Sequence, residues 1–88
     1  MEQPIKLIDG IFTTQETREI IGSLLEFKIQ YHIKQNFSSK IRNGSEDNVS
    51  LSRKHQLHAA KDQFLEFINQ SNPESEFEIH GNITITKR

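Results

Sequence analysis

The stretch from Thr13 to Phe37 constrains this chain more than any other, because two incompatible periodicities run through it. Thr13, with Glu16 three residues on, has the form of a capping box, in which each side chain satisfies a free amide of a helix's first turn. Ile20, Leu24, Phe27 and Tyr31 then recur at intervals of four, three and four, flanked by Ile21 and Leu25, giving a wide apolar stripe suited to burial. From Leu25 to Ile33, however, Leu25, Phe27, Ile29, Tyr31 and Ile33 alternate with Glu26, Lys28, Gln30 and His32, which is the period of a half-buried strand. No Gly, Pro or Asn stands between Leu24 and Gln35 to end one element and begin another, so a helix is the expected outcome. Gly22 is its weak point, costing about 1 kcal/mol relative to Ala. A helix from Thr14 to Gln35 would span roughly 33 Å, long for a small domain.

Before this helix, Ile5 and Leu7 alternate around Lys6, so Pro4 to Phe12 reads as a short strand, with Asp9-Gly10 supplying turn chemistry and Phe12 placed to act as a hydrophobic staple. After Phe37, Ser38-Ser39-Lys40 and Arg42-Asn43-Gly44-Ser45 predict the connection to a second helix. That helix begins at Ser45, ahead of Glu46, Asp47 and Asn48, or several residues later. It runs to about Gln70 on a stripe of Leu57, Ala60, Phe64, Phe67 and Ile68, and Pro73 prevents its continuation. From Glu76 the period changes to two. Phe77, Ile79, Ile83 and Ile85 share one face with Gly81, and Glu78, His80, Asn82, Thr84 and Thr86 share the other. Preserved parity across Gly81 favours one continuous strand over a turn at His80-Gly81-Asn82.

These elements predict one α+β domain over residues 1–88, in β-α-α-β order, with an antiparallel helical hairpin and the N- and C-terminal strands paired antiparallel. The expected core is Leu7, Ile20, Leu24, Phe27, Tyr31, Leu57, Ala60, Phe64, Phe67, Ile79 and Ile83. A two-stranded sheet is marginal and its edges invite pairing, so a homodimer is expected, either extending the sheet to four strands or packing helices across the two copies. A chain of 88 residues also buries a small fraction of its surface, which points the same way.

Composition narrows the functional classes. Cysteine is absent, which excludes a disulfide framework, a thiolate metal site and a cysteine nucleophile. Met1 to Phe12 carries Glu2 and Asp9 and does not read as a secretory signal. No apolar run approaches the ~20 residues of a membrane span. A cytoplasmic protein without membrane contact is expected. The formal net charge is −1, which weighs against a generally cationic nucleic-acid binder, yet the middle of the chain is basic. Lys34, Lys40, Arg42, Arg53 and Lys54 fall around the expected hairpin tip, near Tyr31 and Phe37, and could contact an anion or the phosphates of a nucleic acid.

His55 and His58 lie three apart on the second helix, and a hairpin closing near Arg42 brings His32 to their level. Together the three imidazoles form a candidate zinc site. Solvated helix histidines are the more ordinary outcome for such a pair. The chain has neither a nucleophile elbow around Ser38, Ser39 or Ser45, nor a Gly-rich phosphate loop, nor a dinucleotide fingerprint, so no catalytic residue and no cofactor is expected. The remaining class is a non-enzymatic protein-interaction or self-association module. In its Lys28-Ile29-Gln30-Tyr31-His32 segment, polar Ser-rich link and charged second helix, the chain resembles small uncharacterised bacterial proteins of strand, helical hairpin, strand order. That resemblance implies the fold and carries no functional residue.

Overall fold

A computed structural model describes residues 1–45 and 47–88. The order is β1 (Glu2–Thr13), α1 (Thr14–Asn43), α2 (Asn48–Asn69) and β2 (Glu76–Thr86). β1 and β2 pair antiparallel as a two-stranded ribbon. The strand–helix–helix–strand order and the mixed α+β class expected from the sequence are therefore present, and Leu25 to Ile33 is helical throughout.

β1 passes into α1 without a connecting loop. Thr13 is extended and accepts the amide of Glu16 at 3.0 Å, while the Glu16 carboxylate accepts the amide of Thr13 at 3.0 Å, completing the capping box. Thr14 Oγ1 sits within 3.1 Å of the Asn72 carbonyl and 3.2 Å of the Ser75 carbonyl, tying the start of α1 to the turn that leads into β2. Both strands thereby leave from one corner.

α1 is longer than the sequence suggested. It continues through Ser38, Ser39 and Arg42 and stops at Gly44, whose φ of 71° and amide bond to the Lys40 carbonyl at 2.9 Å form a left-handed helix cap. Asn43-Gly44 is thus a C-terminal stop, and the serines before it are tolerated because Ser costs little in a helix whose ends are well capped. Asp47 caps α2, accepting the Ser50 amide at 3.1 Å. The start suggested at Ser45 is therefore later by a few residues, and Glu46 lies outside the described residues. β1 likewise runs straight through Asp9-Gly10, where a turn was expected.

The helices pack along a seam that differs from the expected one. On α2, Ser50, Leu57 and Ile68 are buried and Lys54, Lys61 and Phe64 half-buried, a repeat of four, three, four, three and four residues. Facing them on α1 are Ile21, Leu25, Ile29, His32 and Asn36, with Ile29 1% exposed. Polar bonds set the register: Arg18 to Asn69 Oδ1 at 3.2 Å, Lys61 to Glu26 at 2.6 Å, His32 Nδ1 to Ser50 Oγ at 3.3 Å, and the Asp47 amide to Asn36 Oδ1 at 2.9 Å.

The expected core is accordingly corrected. Leu57 is buried, and Ile20, Phe64 and Ile79 are half-buried, but Leu7, Leu24, Phe27, Tyr31, Ala60, Phe67 and Ile83 are exposed. The reason is angular. Ile20, Leu24, Phe27 and Tyr31 lie ~100° or more around α1 from the middle of the face that meets α2, so the neighbouring Ile21, Leu25 and Ile29 take the seam instead. Among the described residues the buried apolar residues are Ile29, Leu57 and Ile68.

Beyond the corner, where Phe67 meets Phe77 edge to face at 5.8 Å between ring centres, the helices do not pack on the ribbon. A 30-residue helix is about 45 Å long and the 11 residues of β2 about 36 Å. The molecule measures 50 × 35 × 14 Å, so hairpin and ribbon are the two arms of a flat L rather than stacked layers or a single rod.

Candidate interaction surfaces

Two apolar surfaces follow from this geometry. The first is the outer stripe of α1, where Leu24 is 43%, Phe27 73% and Tyr31 44% exposed. Tyr31 is held by the Gln35 amide at 2.9 Å, by the Lys28 ammonium 4.5 Å from its ring centre, and by the His32 ring packed edge to face at 5.3 Å between centres.

The second is one face of the ribbon. The register pairs Phe12 with Phe77, Gly10 with Ile79, Ile8 with Gly81 and Ile5 with Ile83. Strict alternation would put Ile5 and Ile8 on opposite faces, but an irregularity between Lys6 and Ile8 makes Leu7 an extra residue and brings both onto one side. This bulge is what makes the face continuous. A single-sequence reading of β1 missed it, because its signal is the match to the unbroken parity of β2. The opposite face is polar apart from the exposed Ile11. His80 Nδ1 lies 2.6 Å from its cross-strand partner Asp9, with Lys6 3.6 Å from Asp9 and Glu78 3.7 Å from His80 Nε2. All four side chains are solvent-exposed and polar, which keeps that face in water.

The three histidines proposed for zinc are not brought together. His32 turns into the seam opposite Ser50, and burial with nearby Lys28 and Arg53 holds its pKa below the usual imidazole value. His55 is exposed and lies ~160° around α2 from the buried Leu57, and His58 is exposed and ~100° from Leu57. Among the described residues no group of three or more His, Asp or Glu is placed to hold a metal ion. The imidazole of His32 and those of the two histidines on α2 point in different directions around their helices.

The basic residues of the tip separate in the same way. Lys34 and Arg42 border one open groove on α1 with Tyr31, Phe37 and Ile41. Arg53 bonds Gln56 at 3.0 Å beside Val49 on α2, Lys54 is half-buried on the seam side, and Lys40 lies ~120° around α1 from Lys34. Two of the five therefore share a surface.

No family model, curated protein or solved structure matches the chain. No helix among the described residues is long and apolar enough to cross a membrane.

Proposed function

We propose that this chain is a small interaction module, not an enzyme, and that it works as a homodimer. The observation that carries this reading is surface area. A folded monomer of 10.3 kDa exposes about 5,400 Å², whereas this chain exposes 6866 Å². The excess is roughly 1,500 Å² per copy, so a dimer that removed it would bury about 3,000 Å² in total, the size of an obligate homodimer interface.

Shape supports the same reading. The radius of gyration is 16.1 Å, against about 12 Å for a compact domain of this length. The excess surface is apolar where it counts, including Phe27, Ile83 and Ile85, and a monomer with that much exposed apolar area would be both marginally stable and prone to nonspecific association. Sedimentation equilibrium at micromolar concentration is expected to give twice the chain mass, changing little with salt because the contact is apolar. A chain-mass monomer throughout that range would overturn the proposal.

A further inference from the structure

Resting on the homodimer reading, we infer how the two copies meet: the outer stripe of α1 in each copy covers the apolar face of the other copy's ribbon, twice over, about a two-fold axis. Each L would then place its ribbon arm across its partner's hairpin arm, and the result is a pair of helix-on-sheet layers.

Three observations favour this arrangement over a helix-to-helix or edge-to-edge dimer. First, a helix stripe and a sheet face each need an opposing layer, and within one chain neither has one beyond the corner. Covering one with the other satisfies both at once, whereas pairing two α1 stripes leaves both ribbon faces in water. Second, the sizes match. Ile20 to Tyr31 extends about 17 Å along the helix, and Phe77 to Ile83 about 20 Å along the strand. Gly81 leaves open space above the ribbon, with nothing within 4 Å of where a Cβ would stand. That gap lies between Ile79 and Ile83 on the apolar face, and Phe27, the most exposed member of the stripe at 73%, is the side chain suited to fill it. Third, the edge of β1 carries Pro4 and the bulge at Leu7, both of which blunt strand-to-strand pairing through that strand.

Reciprocal exchange has a signature that other dimers lack. Phe27→Glu spoils the helix half of both contacts in its own homodimer, and Ile83→Glu spoils the sheet half of both. Each variant alone should weaken self-association roughly a hundredfold or more, since each places two carboxylates against apolar surface. In a mixture, the unaltered stripe of the Ile83→Glu copy meets the unaltered ribbon of the Phe27→Glu copy, and the spoiled halves meet each other. One contact is whole, so sedimentation of the mixture should recover a mixed dimer that neither variant forms alone.

A dimer in the Ile83→Glu variant alone, or no mixed dimer from the two variants while the unaltered chain is dimeric, would overturn this arrangement and leave the homodimer reading standing. A monomeric unaltered chain would remove both. Should the variants unfold when alone, the unaltered protein decides. In a sample mixing isotope-labelled and unlabelled copies, intermolecular contacts are expected between the Phe27 ring and the Ile79 and Ile83 methyls. Contacts from Phe27 to the partner's α1 in their place would contradict the inference.

Discussion

His32 is held in the helical seam with Nδ1 3.3 Å from Ser50 Oγ, and its Nε2 is buried without a protein partner among the described residues. Protonating it would put a cation into partly desolvated space beside Lys28 and Arg53, opposed only by the more weakly acting Asp47. Its folded pKa is therefore depressed below the unfolded value of 6.5. The neutral form's contribution is complete above that value and is lost as pH falls from there through the folded pKa. The thermal midpoint is expected to drop between about pH 7.5 and about pH 5.5, and His32→Gln should flatten that dependence. Equal slopes for the two proteins would show that His32 is not the group responsible. Gly22 offers the opposite kind of change. A Cβ added there meets nothing within 4 Å, so Gly22→Ala should stabilise α1 by about 0.5–1 kcal/mol, read as a midpoint several degrees higher.

At the scale of the elements, α1 is a helix with two apolar stripes, of which α2 covers one. This explains why Leu25 to Ile33 satisfied a strand template as well as a helical one: a helix apolar on more than one side places apolar residues at strand spacing too. The Thr13–Glu16 capping box, the Pro73 stop and the unbroken parity of β2 were legible in the sequence because each depends on residues close together in the chain. The choice between the Ile20–Leu24–Phe27 stripe and the Ile21–Leu25–Ile29 stripe was not, because it is decided by the rotation of one helix against another. The histidine and lysine groupings failed for the same angular reason. The stability consequence is direct. Ile29→Ala or Ile68→Ala, at side chains 1% and 0% exposed, should cost about 2–5 kcal/mol in chemical denaturation. A loss under about 1 kcal/mol at both positions would mean that the seam has been misplaced.

For the whole molecule, the decisive property is that hairpin and ribbon share a corner and little else. The Thr14 bonds to the Asn72 and Ser75 carbonyls, the Phe67–Phe77 contact and the buried Ile68 fix that corner. Outside it each arm presents apolar side chains that this chain cannot cover by itself. Stability should therefore belong to the assembly and not to one copy, because anything that binds the folded form alone raises its apparent stability by mass action. The thermal unfolding midpoint measured across a hundredfold range of protein concentration tests this most directly. A midpoint that climbs steadily with concentration is the predicted result, and one that does not move while unfolding stays reversible would contradict it.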